Sequence, residues 1–374
     1  MKGLAGRTCC YRGLVRSAHS LSVSGQIAQS LTLLVGLVLT VAPSARAVSA
    51  AEPQRDCRLR QLASIAVDYS ADASPTIPIV IQDHAVRAWL NTASVYSMID
   101  QEAIEQLGLK ARALGAGTPE ITWGNKRINS YAIIPAISLG NARFKETAML
   151  LLPTRAITVN GEGPIDGAPI AYLGMDVLTR VDIELDFGHN KMNVFSPDHC
   201  PGEVVYWADH YDVVPMRRGA LKDLYFVMEL NGKKLQTQLA TGDRSSTIYA
   251  NVASKLYGWD ENPLGLQTMT AENGSSGGHR TMALTAGGLS ILNAQIDLRT
   301  ATTCVRAARI TTDHDGALGF DGCMGASPLH LGMNVLTKLR IYLSANEQKM
   351  YFTATDAHKE TSVSSVQMMQ TPAN

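Results

Sequence analysis

The sequence predicts a mostly β protein built from two copies of one lobe, with a few short helices. Three observations carry this. A 23-residue stretch recurs, with Leu173–Phe195 aligning without a gap on Leu331–Thr353 at ten identities. An upstream segment recurs as well: Ala88–Ser94 lies over Thr237–Asp243, Ile99 then falls on Ile248, and Leu107 on Leu256. Each upstream copy also follows an apolar run and a bend, the pattern of a hairpin feeding a second strand.

The elements follow in order. Lys2, Arg7, Arg12 and Arg16 precede the apolar run Leu31–Val41, and Ala45-Arg46-Ala47 follows Pro43. This is the order of a secretory leader, read as residues 1–47. The run falls short of the roughly 20 apolar residues that a membrane span needs. Cleavage is expected near Ala47 or Ala50, with an uncleaved anchor as the alternative. Losing the leader removes five of 33 basic residues and no acidic ones, leaving 28 against 33 and a net charge of −5. A mildly acidic chain without a basic block has no electrostatic footprint for nucleic acid. No stable membrane span remains, and the expected location is exported, periplasmic or extracellular.

The first lobe spans 57–200. Its leading strand is Ile77–Ile81, with a bend at Gln82-Asp83-His84-Ala85. Pro78 has no amide proton, so this strand is expected to start there or to lie at an edge. Copy two, 224–356, offers Leu224–Leu230 and then Asn231-Gly232, the strongest short hairpin signal. Helices are expected over Gln101–Leu107 and Ala250–Leu256, and strands over Ala132–Leu139 and Leu289–Leu298. Glycine-containing or polar tips follow: Thr122–Arg127 with Trp123 and Gly124 in copy one, and Glu272–His279 with Gly277 and Gly278 in copy two. Such tips suit mobile flaps over a cleft. Residues 201–223 read as an inter-lobe linker, and 357–374 as a disordered tail.

Cys9 and Cys10 leave with the leader, and Cys57, Cys200, Cys304 and Cys323 remain. An even count in an exported chain points to disulfides. Of the three possible pairings, Cys57–Cys200 and Cys304–Cys323 are preferred, the first tying the start of lobe one to its exit. His199, His210, His279, His314 and His330 are scattered without ligand spacing, and no C-x2-C or HExxH motif is present. No metal or cofactor is expected.

Leu90-Asn91-Thr92-Ala93-Ser94 and Leu239-Ala240-Thr241-Gly242-Asp243, each followed by a helix and then by Tyr172-Leu173-Gly174-Met175 or His330-Leu331-Gly332-Met333, resemble the lobe pattern of the retropepsin-like aspartic proteases in a duplicated, bacterial-type form. The resemblance covers about residues 60–355, by the bounds of the repeat. It implies two closed β-barrel lobes, a pepsin-like pseudo-dimer, with the two turns meeting at the floor of a cleft. In active members each turn supplies an aspartate, and the two carboxylates share one proton. Thr92 and Thr241 would then grip the turns together, with Ser94 and Gly242 beside them.

Both aspartate positions hold something else. Asn91 can hold a water but cannot take its proton near neutral pH, and the methyl of Ala240 can do neither. Ala93 stands where a glycine is expected, which would cost about 1 kcal/mol if that site needs positive φ. Asp243 is the one carboxylate close by in sequence, either a rescue for the missing group or a turn aspartate bonded to local amides or to Arg244. Three functions stay open: an inactive pseudoprotease binding an extended peptide in its cleft, an active endopeptidase using Asp243 or a carboxylate from a partner chain, and a structural envelope protein with no open cleft. The enzyme question is open in the sequence, as is the oligomeric state.

Overall fold

The computed structural model describes residues 57–69, 74–116, 118, 121–123, 126–153, 167–219, 223–259, 275–321, 323 and 326–357. The expected leader, Gly124 and Asn125 of the first expected tip, residues 272–274 of the second and residues 358–374 lie outside them. Both expected disulfides, Cys57–Cys200 and Cys304–Cys323, are formed. Among the described residues no helix is long and apolar enough to cross a membrane.

In the first half, β1 (Gln61–Ala66) precedes a hairpin of β2 (Pro75–Ile81) and β3 (His84–Leu90). Next come β4 (Met98–Asp100), α1 (Gln101–Gln106) and a long hairpin of β5 (Ser130–Leu139) and β6 (Ala142–Leu152). The half ends with β7 (Ala171–Leu173), α2 (Met175–Leu178), β8 (Asp182–Asp186) and β9 (Lys191–Phe195).

The second half repeats the series. β10 (Asp212–Pro215) precedes a hairpin of β11 (Leu224–Leu230) and β12 (Lys233–Leu239). β13 (Ser246–Tyr249), α3 (Ala250–Tyr257) and the hairpin of β14 (Ser275–Ala286) and β15 (Leu289–Arg299) follow. After α4 (Thr303–Ala307), which has no described counterpart, come β16 (Leu329–Leu331), α5 (Met333–Leu336), β17 (Leu339–Ser344) and β18 (Lys349–Ala354).

Pairing closes each half into a six-stranded barrel. The order is β2-β3-β7-β4-β6-β5 and back to β2 in the first, and β11-β12-β16-β13-β15-β14 and back to β11 in the second. The two orders are the same, strand for strand. Closure removes free sheet edges from both rings. This is the two-lobe fold of retropepsin- and pepsin-like proteins. One buried apolar core runs through both lobes, from Ile77, Leu90 and Leu173 to Phe226, Leu298 and Leu331.

A third sheet joins the halves, in the order β1-β9-β8-β17-β18-β10. Each half contributes three strands, and β8 meets β17 antiparallel at Leu185–Ile341. The segment 201–223 is therefore more than a linker: β10 pairs with β18, and Arg217–Arg218 pairs with Tyr225 and Leu224 of β11. Val204, Trp207 and Ala208 pack on Phe195, Tyr342 and Tyr351 of this sheet. Arg340 binds Glu184 (Nε–Oε1 2.6 Å) with its guanidinium 4.5 Å from the Trp207 ring. Tyr206 donates to the other Glu184 oxygen at 2.7 Å, so the buried charge is fully engaged.

The turns explain local differences from the sequence reading. Asn231 and Gly232 both have positive φ (45° and 74°), as a tight hairpin with matched twist requires. β2 begins at Pro75, so Pro78 lies inside it. Pro78 lies opposite Arg87 of β3, and its missing N–H is tolerated because on the other edge of β2 partners are paired only at Pro75–Thr76 and Val80–Ile81. Gly277 and Gly278 are not a hairpin tip. They lie within β14 at a register shift between Ser276 and His279, and the chain reverses at Gly287–Gly288. Glycine inside a strand marks such a bulge.

Candidate functional site

Each barrel threads its L-G-M segment behind its turn. In copy one the Asn91 amide donates to Leu173 O (3.0 Å), Ser94 N to Asn91 O (3.2 Å) and Met175 N to Ser94 O (2.9 Å). In copy two Ala240 N donates to Leu331 O (2.8 Å), Asp243 N to Ala240 O (2.9 Å) and Met333 N to Asp243 O (2.9 Å). The glycine is needed where the segments cross. A Cβ on Gly174 would lie 2.6 Å from the Tyr96 carbonyl carbon, and one on Gly332 would run into the Ser245 carbonyl. Ser97 and Ser246 fix the crossing: each donates its N–H and Oγ–H to one oxygen, of Asp176 in copy one and Asn334 in copy two, at 2.6–2.9 Å. Each Oγ also accepts the glycine amide. Burial pushes the Asp176 carboxyl up, only partly offset by the Ser97 bonds.

The two turns are joined through their threonines. Thr92 N donates to Thr241 Oγ1 at 3.0 Å, and Thr241 N to Thr92 Oγ1 at 3.2 Å. Each hydroxyl then donates to the other lobe's strand: Thr92 Oγ1 to Leu239 O at 2.7 Å, and Thr241 Oγ1 to Leu90 O. Both threonines are buried. Asn91 and Ala240 immediately precede these residues. The space above Gly242 faces Asn91, whose Cγ would stand 3.5 Å from a Cβ built there. Neither Ala93 nor Gly242 has positive φ, so the alanine of copy one carries no backbone penalty.

Neither replaced position carries a titrating group. Ala240 is fully buried and offers only a methyl group. The Asn91 amide donates and accepts hydrogen bonds but does not titrate. Asp243 is held elsewhere: its Oδ2 lies 3.0 Å from Arg299 Nη2 and 3.4 Å from His330 Nδ1. Its charge partner is thus Arg299, from β15, and not its neighbour Arg244. Burial raises the Asp243 carboxyl, but the neighbouring His330 ring and the Arg299 charge outweigh it and hold it below the ordinary carboxylate range. Sequence reasoning missed this cluster because its members come from three distant segments. The only signal was a carboxylate directly after the turn glycine.

Trp123 packs inward. Its ring lies 4.9 Å from Tyr172, which stacks on Trp89 at 4.5 Å. With Ile121, Ile128, Met98 and Leu150 it forms a satellite cluster on the first barrel.

No protein-family model matches the chain, and no curated protein matches it either. Among solved structures it is similar to a retropepsin-like aspartic protease from Rickettsia conorii, at 17% identity and a TM-score of 0.24, over 37% of this chain and 96% of that one. It is also similar to Basic 7S globulin from soybean, at 7% identity and a TM-score of 0.43, over 81% and 98%. Strand order is the same in both barrels.

Proposed function

We propose that this chain is an exported, catalytically silent aspartic-protease-like protein that binds extended peptides between its lobes. One observation carries the reading: the two residues that precede the gripped threonines are Asn91 and Ala240, and neither can accept a proton. Losing a positioned general base alone typically costs about 10²–10⁴-fold in rate. Rescue by Asp243 is disfavoured, because a carboxylate held below its ordinary range by Arg299 and His330 is a weak base and lacks the partner carboxyl with which it would share a proton. Export is supported by the leader pattern and by the two disulfides. Peptide binding is supported by the fold, since a strand-like segment gains affinity from main-chain pairing without chemistry.

The test uses purified mature protein and a library of extended peptides. Saturable binding without cleavage is the expected result. Pepstatin-sensitive cleavage that disappears in Asp243→Ala would overturn the inactive reading. Absence of any peptide binding would favour a structural role.

A further inference from the structure

The two barrels diverge most at positions that match in register. In the first, Trp89, Tyr172, Met98 and Leu150 stand side by side across β3, β7, β4 and β6. This row is apolar and is capped by Trp123. In the second, the matching row across β12, β16, β13 and β15 is Gln238, His330, Thr247 and Asp297. Directly paired side chains on one face sit about 5 Å apart at Cβ, so Gln238 and Thr247 flank His330 from both sides.

This row is buried and incompletely satisfied. Gln238, Thr247 and His330 are 1%, 3% and 5% exposed, and Ser327 is fully buried. Gln238 Oε1, Thr247 Oγ1, His330 Nε2 and, three residues before His330, Ser327 Oγ have no hydrogen-bond partner, and Asp243 Oδ2 has only its ion pair with Arg299; these are five of the seven side-chain atoms without a hydrogen bond among the described residues. An unmade buried bond costs about 1–3 kcal/mol, and clusters of them are where proteins hold water or ligand.

The chemistry of the missing guest follows from the donors and acceptors. Arg299 Nη1 lies 2.6 Å from His330 Nδ1. A guanidinium only donates, so Nδ1 accepts and the proton sits on Nε2. The Ser327 carbonyl faces the ring, yet Nε2 has no hydrogen-bond partner. The atoms to be satisfied are thus one donor, His330 Nε2–H, two acceptors, Gln238 Oε1 and Asp243 Oδ2, and two hydroxyls that serve either way. The Asp243 and Arg299 charges cancel across their ion pair, so a charged guest would be uncompensated. Both side chains are partly open, at 18% and 17% exposure, and mark the approach from the turn.

We infer that this row is a seat for an uncharged donor–acceptor group: ordered water in the free protein, and the carboxamide side chain of a bound peptide in the complex. The carboxamide NH2 donates to Gln238 Oε1 and Asp243 Oδ2, and its oxygen accepts from His330 Nε2–H. The peptide half of this inference rests on the proposed function; the water half does not.

The test has two arms. Extended peptides identical except for one residue, Gln, Leu, Glu or Lys, are titrated calorimetrically into mature protein and into Thr247→Val and Gln238→Met, with melting curves confirming that the variants fold. The Gln peptide is expected to bind about 10-fold or more tightly than the others, as a site built for hydrogen bonds rejects groups that leave it unpaired, and the preference is expected to shrink to within about 3-fold in the variants. Equal or tighter binding of the Leu, Glu or Lys peptide would overturn the inference while leaving peptide binding intact. If no peptide binds at all, the proposed function fails, and a high-resolution crystal structure decides the remainder. Waters bonded to His330 Nε2 and Gln238 Oε1 would sustain the polar seat; a dry row, or one re-paired internally, would sink it.

Discussion

The threonine exchange gives the sharpest quantitative test of how the lobes are held together. Replacing Thr241 by valine keeps the volume and removes one oxygen. Two buried groups of the first lobe then lose partners: the Thr92 amide, bonded at 3.0 Å, and the Leu90 carbonyl. At about 1–3 kcal/mol for each unsatisfied group, the loss is about 2–6 kcal/mol, a large part of the ~5–15 kcal/mol that holds an ordinary domain folded. Thr92→Val does the mirror damage to the Thr241 amide and the Leu239 carbonyl. The two hydroxyls also lie 3.3 Å apart in one network, so the double variant should depart from the sum of the singles by about 0.5–3 kcal/mol. Urea unfolding followed by tryptophan fluorescence measures all three. Single losses under about 0.5 kcal/mol, the range of ordinary surface changes, would refute the claim that these bonds join the lobes.

Two further outcomes follow from the same geometry. Gly174→Ala and Gly332→Ala drive a Cβ into backbone carbonyls, of Tyr96 and Ser245, and should each destabilise by about 1–3 kcal/mol or more on the urea scale, with losses below ~0.5 kcal/mol counting against the crossing described here. Acid should weaken the His330 cluster. Burial, with the Arg299 charge, lowers the His330 pKa from 6.5, so the unfolded chain binds the extra proton first. That contribution is intact above pH 6.5 and fades as pH falls below it. His199 has the opposite sign: the Cys200 carbonyl and Asp182 outweigh its desolvation and raise it. The readout is therefore the difference between wild type and His330→Gln at each pH. The wild type should lose ground to the variant between about pH 7 and 5.5, and a pH-independent difference would contradict the assignment.

What the sequence disclosed depended on range. Hairpins, helices after each turn and the position of both L-G-M segments were readable because their signals are local and because duplication supplied each twice. Asn231-Gly232 is a case where two residues sufficed. The sheet joining the lobes was not readable: Leu185 meets Ile341, and nothing near either residue names the other. β10 escaped for the same reason, being four residues long and paired only with β18. Gly277 and Gly278 misled because glycine marks bulges as well as tips. His330 looked like a scattered histidine because Asp243 and Arg299 reach it only through barrel closure. The strain expected at Ala93 did not arise, since the turn keeps that residue at negative φ.

The Asp243 cluster also bears on how the missing dyad can be rebuilt. The obvious variant, Asn91→Asp with Ala240→Asp, puts a carboxylate at a fully buried position in a turn that already carries one three residues on. Copy one has no such neighbour, because its matching residue is Ser94. Two like charges that near raise one pKa strongly, and Asp243 already holds Arg299, so the carboxyl introduced at position 240 would take the proton and stay neutral. The dyad would then lack the shared, readily exchanged proton that its chemistry needs. Adding Asp243→Ser restores the environment of the first turn and leaves Arg299 on His330 alone. The triple variant is therefore expected to cleave peptides at a rate at least about tenfold above the double, the effect of roughly one pKa step on the fraction in the working protonation state. Equal rates in the two would mean that Asp243 does not sense position 240, and that the silence proposed for this floor comes from the two replaced residues alone.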